Sequence, residues 1–198
     1  MKALGTPPTR QTLAPRKRGD DTRALIIDET VRCVVEEGFQ AATAKHVAER
    51  AGVTWGVIQY HFGDRNGLLM AVVDEGVARL VEELSAAEVG DLGLRERIEL
   101  VVDTAFRCYS SPTSLAAFEI LRAMRGTHGQ SAQRHLLEIN DAVNQLGRLI
   151  SDDKGVAEVI WSALRGMVLV EMIVNSHLEW QRERQVLVDM VTRYLQDR

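Results

Sequence analysis

Only two cysteines, Cys33 and Cys108, occur in the 198 residues. They are far apart, form no CxxC pair, and each falls in a helical pattern. No disulfide framework is indicated, a reducing cytoplasm is the expected setting, and both thiols read as small buried hydrophobes. Proline is equally scarce, with only Pro112 after Pro15. That favours long helices, and there is little of the Val/Ile/Thr alternation that strands require. No apolar run reaches the length of a membrane span. The stretch MKALGTPPTRQTLAPRKRG has no hydrophobic core between its charges and is not read as a secretory signal. Catalytic signatures are missing too: there is no GxSxG, P-loop, HExxH or dinucleotide fingerprint. His128, His135 and His177 lack metal-ligand spacing. The expectation is a protein that is not an enzyme and takes neither metal nor cofactor.

What is present begins with a core, since 45% of the residues are apolar. The net charge of −4 is unevenly spread. Residues 1–19 hold Lys2, Arg10, Arg16, Lys17 and Arg18 and no acid, whereas both following segments are net acidic. A basic arm on an acidic body suits a tail that seeks phosphate.

The spacing of apolar residues and caps predicts an all-α chain in three parts. Residues 1–19 form a flexible basic arm, 20–66 a three-helix unit, and 67–198 a helical bundle. A first helix starts near Asp20, buries Ala24, Ile27, Val31, Val34 and Val35, and ends at Gly38, with Phe39 folding back onto it. Thr43 caps a second helix, Gly52 breaks it, and Thr54 caps a third that runs to Phe62. Asp64 caps a fourth (64–85), long enough to connect the two folded units. SAAEVGDLG (85–93) loosens the chain, and helices follow near 94–110, 112–126, 130–150, 153–180 and 182–197.

The segment AGVTWGVIQYHF carries the functional signal. Two helices joined by a short Gly-containing turn describe a helix-turn-helix. Val57, Ile58 and Phe62 face the small core, which leaves Trp55, Gly56, Gln59, Tyr60 and His61 outward. In a major groove Gln59 can pair with adenine edges and Trp55 can touch thymine methyls. Thr54, Tyr60 and His61 can donate to phosphates, and Gly56 lets the backbone come close. Lys45 and Arg65 flank the groove as phosphate clamps.

The pattern Thr43-x-x-x-Val47-Ala48-x-x-Ala51-Gly52-Val53-Thr54-x-Gly56-x-Ile58-x-Tyr60-His61-Phe62-x-x-Arg65-x-x-Leu68-Leu69 resembles the DNA-binding region of the TetR family of bacterial transcriptional regulators. The likeness covers roughly residues 22–70. It departs from the usual pattern at Gln59, where Tyr is common, and at Arg65, where Lys is common. The resemblance implies an Ω-shaped homodimer with DNA-binding heads and ligand-binding bodies, joined through the last two helices of each subunit. It implies repression from a palindromic operator, relieved by a small molecule. The family's DNA-contacting positions fall on Thr43, Lys45, Thr54, Trp55, Gly56, Gln59, Tyr60, His61 and Arg65. Arms such as Arg16-Lys17-Arg18 can reach the minor groove or backbone.

In the body, the helix from Gly155 to Glu179 is apolar almost all round, so one face suits its own core and the other a dimer mate. Val186, Leu187, Met190, Val191, Tyr194 and Leu195 extend that surface. Phe106, Tyr109, Phe118, Met124, Trp161 and Met167 are candidates to line an apolar effector cavity, with Arg122, Arg165 or Glu171 orienting a polar end. Core packing is the competing role for these aromatics. Two alternatives remain: a regulator without a small-molecule ligand, architectural or partner-controlled, and a helical carrier or enzyme.

Overall fold

The computed structural model describes residues 15–124, 129–174 and 176–197. Arm residues 1–14, the predicted break at Gly126 and His128 lie outside these, and so do the side chains of Arg16, Lys17 and Arg18. The described residues are helical, with no strand among them: α1 (Pro15–Glu37), α2 (Ala44–Ala51), α3 (Trp55–Phe62), α4 (Arg65–Ser85), α5 (Leu94–Tyr109), α6 (Pro112–Met124), α7 (Gly129–Gly147), α8 (Lys154–Val174) and α9 (Gln181–Gln196). None is long and apolar enough to cross a membrane.

Local chemistry sets the boundaries in the first third. Thr43 caps α2, its hydroxyl oxygen accepting from the His46 amide at 3.2 Å. Gly52 ends α2 in the left-handed conformation at φ 64°, which glycine adopts without steric cost. Asp64 caps α4, accepting from the Gly67 amide at 2.8 Å. Two expected boundaries move. α1 starts at Pro15 rather than near Asp20, so the backbone of Arg16-Lys17-Arg18 is helical and not part of an extended arm. A proline in the first helical turn forfeits no intrahelical hydrogen bond, which permits that start. α8 stops at Val174 rather than near 180 because Glu171 captures the exit: its backbone carbonyl accepts from Ser176 N (3.3 Å) and its carboxylate from Leu178 N (3.1 Å).

Two hydrophobic clusters organise the chain. The smaller comprises Ile26, Ala44, Val47, Ala48, Ile58 and Leu68, with Val57 and Phe62 packed on its edge. The larger takes residues from α1 and from α4 through α9, with Ala42. α1 serves both: Ile26 enters the small cluster, while Ile27, Val31, Cys33 and Val34 enter the large one. Ala24 and Val35, expected inside, are exposed, because α1 is gripped from two directions and its buried stripe shifts to include Ile26, Thr30 and Cys33. α4 runs from the small cluster, through Leu68, into the large one, through Leu69 to Leu84. Gly76 allows it to lie close on α6, where a methyl group would meet Ala117 Cβ at 3.0 Å. His135, buried on α7, places Nε2 3.1 Å from Asp74 of α4.

Candidate nucleic-acid interface and body cavities

α3 is held by one fully buried side chain, Ile58, with Val57 and Phe62 half-buried beside it. Its remaining surface is open. Tyr60 is 85% exposed and Trp55 48% exposed, and Gln59 and Gly56 are exposed as well. Among the described residues the Tyr60 ring meets His61 edge-on, with centroids 5.0 Å apart. His61 is half-buried and faces α1 at Gly19. The protein's own packing does not require glycine at 56, since a methyl group there would meet nothing closer than Thr54 Oγ1 at 3.8 Å.

The flanking residues divide into two kinds. Thr54 is exposed at the start of α3 and its side chain makes no capping bond, so the hydroxyl is available to an outside partner. Lys45 projects from the first turn of α2 with only Glu49 near it, at 3.9 Å. Thr43 spends an oxygen lone pair on the cap, though its hydroxyl proton remains free to donate. Arg65 is different. Its guanidinium folds inward, donating to Ala42 O (2.7 Å) and Phe39 O (2.8 Å), and lies 4.7 Å over the Phe39 ring. The residue expected as a phosphate clamp is first a brace between the α1–α2 connection and the start of α4, because two backbone carbonyls in that connection need donors.

Between α1 and α2, Cys33, Glu37 and His46 bring one donor atom each within 4.8 Å of the others. Sequence spacing alone hides this trio, since His46 comes from α2. Arg50 already engages Glu37, with Glu36 and Glu29 on its other nitrogens. The His46 hydrogen bond, then Arg50, holds the Glu37 carboxyl below its usual range.

The body candidates do not form one chamber. Tyr109 stacks on Phe118 (5.5 Å, 13°) and meets Trp161 edge-on at 5.2 Å, giving a packed aromatic centre. Burial pushes the Tyr109 phenol up to about 12. Phe106 is covered by Arg184, 4.7 Å above its ring. Met124 is buried, Met167 half-buried, and Arg122 exposed on α6. Apart from Arg122, these residues are brought together in or against the core, which is how aromatic rings on crossing helices commonly pack. Arg165 instead lines a groove of about 280 Å³ with Leu137 and Asn140 of α7. Glu171 lines a separate cavity of about 210 Å³ with Glu119 of α6, which sequence reading missed because the two acids lie 52 residues apart in the chain.

One further surface is apolar and uncovered. On α8, Val159, Leu169, Val170, Ile173 and Val174 are exposed, and on α9 Val186, Met190 and Tyr194. Ile173 reaches 73% and Met190 64% exposure. Leu187 and Val191, expected on that outer face, are buried inside the subunit, because α9 turns them toward α5 and α8.

A three-helix head with an exposed, aromatic and polar second helix of a helix-turn-helix, set on a helical body, defines a DNA-binding regulator rather than an enzyme. Comparison with known proteins gives the family. Residues 26–72 match the profile of "Bacterial regulatory proteins, tetR family". The chain is 34% identical over 112 residues to TtgW, an uncharacterized HTH-type transcriptional regulator of Pseudomonas putida, a match covering 57% of this chain and 78% of that protein. It is 32% identical over 74 residues to the HTH-type transcriptional repressor AcnR of Corynebacterium glutamicum, covering 37% of this chain and 39% of AcnR. The match thus spans well under half of AcnR. Among solved structures, the fatty acid degradation regulator FadR from Bacillus halodurans superposes with a TM-score of 0.68 at 16% identity, covering 85% of this chain and 96% of that one. The chain belongs to the TetR family of transcriptional regulators.

Proposed function

We propose that the protein is a homodimeric, cytoplasmic repressor that holds a palindromic operator and releases it when a small molecule binds the body. The observation carrying the DNA half is the exposure of Trp55, Gln59 and Tyr60 on a helix whose inner face is buried. Leaving two large aromatics in water on a two-turn helix has no benefit to folding. Against a duplex, Gln59 reads a base edge, Trp55 touches thymine methyls, and Tyr60, His61, Thr54 and Thr43 donate to phosphates. Lys45 adds a cation; Arg65 acts through the brace it makes, and Arg16, Lys17 and Arg18 extend the contact along the backbone. In this reading residues 20–66 are the head and 67–198 the body, with α4 joining them.

The uncovered apolar face of α8 and α9 is the dimer seam. A symmetric pair is needed to set two recognition helices about 34–36 Å apart, the repeat of the major groove. Effector binding favours a dimer with a different head spacing, and a coupling of about 1–3 kcal/mol suffices for derepression. A second reading, a regulator with no small-molecule effector, draws on the packed aromatic centre at Tyr109, Phe118 and Trp161.

The test is fluorescence anisotropy of a duplex carrying the promoter region of the protein's own gene. Wild type binds in the nanomolar range. The Gln59→Ala, Tyr60→Ala double variant, checked as an intact dimer by sedimentation, loses at least tenfold in affinity; unchanged binding refutes the reading helix.

A further inference from the structure

The cavity of about 210 Å³ lies on the seam between head and body, walled by Val35 of α1, Leu115 and Glu119 of α6, Glu171 and Met172 of α8, and His177 beyond it. Its polar groups are unbalanced. The Glu171 side chain is only 6% exposed; Oε1 accepts from Leu178 N, and Oε2 is buried with no hydrogen-bond partner. His177 Nδ1, the nearest basic atom, stands 3.9 Å from Oε2, on a side chain that is itself 87% exposed. Glu119 spends one oxygen on the Phe39 amide at 2.8 Å. Among the described residues no Lys or Arg nitrogen lies within 4 Å of either carboxylate. A buried carboxylate oxygen without a donor is costly, and two acids facing one cavity that is part apolar and part polar call for a cation.

We infer that this cavity is the effector site and that it takes a small organic ammonium ion bearing at least one N–H. The inference rests on the effector-responsive reading above and adds where the effector sits and what it is. An orphan acceptor needs a donor, which a quaternary ammonium cannot supply. Val35, Leu115 and Met172 need hydrocarbon opposite them, which a bare metal ion cannot supply. The donor atoms of Glu119, Glu171 and His177 also do not converge within 4.8 Å of one another, as a metal cluster would. The volume lies below the about 300–1,000 Å³ of drug-sized pockets, so the ligand is small.

The site also reaches the head. Glu119, on the cavity wall, holds the Phe39 amide; Phe39 in turn receives Arg65, the first residue of α4 after the recognition helix. A cation that draws Glu119 toward the cavity competes directly with this contact. By linkage, whatever loosens the head on ammonium binding must make DNA weaken ammonium binding by the same factor.

The experiment titrates full-length protein with cyclohexylammonium chloride by calorimetry and thermal shift. Cyclohexanol, tetramethylammonium chloride and sodium chloride at equal ionic strength serve as comparisons. Cyclohexylammonium is expected to saturate one site per chain and raise the melting temperature, with the other three giving at least tenfold weaker binding. Glu171→Gln and Glu119→Gln, each keeping an acceptor oxygen and melting near wild type, are expected to bind it at least tenfold more weakly. Operator anisotropy is expected to fall on addition of cyclohexylammonium with wild type and not with Glu171→Gln. Equal binding of cyclohexanol, or wild-type affinity in both Gln variants, overturns the inference while leaving operator binding untouched. Failure of the regulator reading would instead appear as absent operator binding with ammonium binding intact.

Discussion

Arg65 and Phe39 hold each other in two ways: the guanidinium sits 4.7 Å above the Phe39 ring and donates to the Phe39 carbonyl oxygen at 2.8 Å. A third contact, to Ala42 O at 2.7 Å, makes Arg65 the pin between the exit of α1 and the entry of α4. The planar fork is what allows one side chain to serve two carbonyls and a ring together.

Arg65→Ala is therefore expected to destabilise the protein even without DNA, by about 1.5–3 kcal/mol, the range for hydrogen bonds to a charged donor. Arg65→Lys recovers only part of this. Urea unfolding followed by circular dichroism measures both; an unchanged midpoint in Arg65→Ala would contradict the brace.

Two glycines eleven residues apart make opposite predictions. A methyl group at Gly67 would lie 2.0 Å from the Phe62 carbonyl oxygen, so Gly67→Ala must push α3 away from α4 and is expected to cost about 1–3 kcal/mol. Gly56→Ala meets open space within the protein and is expected to gain about 0.5–1 kcal/mol in a helix. On the proposed DNA contact it nevertheless loses operator affinity at least tenfold. Melting curves paired with anisotropy separate the two effects, and a Gly56→Ala protein that binds DNA normally would remove close backbone approach from the account.

Lys45 is exposed in the first turn of α2, with its ammonium 3.9 Å from Glu49. Lys45→Ala is expected to weaken operator and random DNA alike, and to lower the slope of log K against log salt by about 1 per bound protomer. A loss confined to the operator would assign Lys45 to base reading instead.

Ile173→Glu and Met190→Glu place charge in the uncovered apolar face without touching either core cluster. Both are expected to shift sedimentation from dimer to monomer with secondary structure retained, and to abolish cooperative operator binding. A dimer surviving both substitutions would move the seam elsewhere.

Cys108 is buried and its thiol donates to Glu83 at 3.1 Å; burial, then that bond, pushes it up to about 12. The unfolded chain releases this proton near 9.0 and the folded chain does not. Its contribution to stability is thus fully present below pH 9 and declines as pH rises from 9 toward 12. Cys33 is raised in the same direction by burial. Both are expected to react with a thiol reagent only in denaturant; rapid labelling of native protein at pH 8 would contradict this.

Much of the head was legible because its signals are local. Thr43, Gly52 and Asp64 mark helix ends by chemistry that acts over three or four residues, whereas Thr54 precedes α3 without the side-chain cap expected of it, and the apolar spacing of α3 leaves Gln59 and Tyr60 outward. The bracing role of Arg65 is not legible in the sequence, because its partners are carbonyls at 39 and 42, which no side-chain pattern encodes. Ala24 and Val35 are exposed because α1 contributes to two clusters, and a single periodicity does not describe a helix gripped from two directions. In the body, periodicity identified apolar helices but not how their aromatics interlock, so Tyr109, Phe118 and Trp161 looked like cavity walls. That Glu119 and Glu171 line one cavity depends on where α6 and α8 lie relative to each other, a tertiary relation.

Ile26 and Ile27 are consecutive residues, yet one is anchored in the small cluster and the other in the large. α1 therefore works as an axle rather than a tether: the head cannot swing on a loose joint, and any reorientation has to roll the whole helix. A fragment ending at Ser85 would keep α4 but lose α6, so Ile27, Val31 and Val34 would keep only part of their cover.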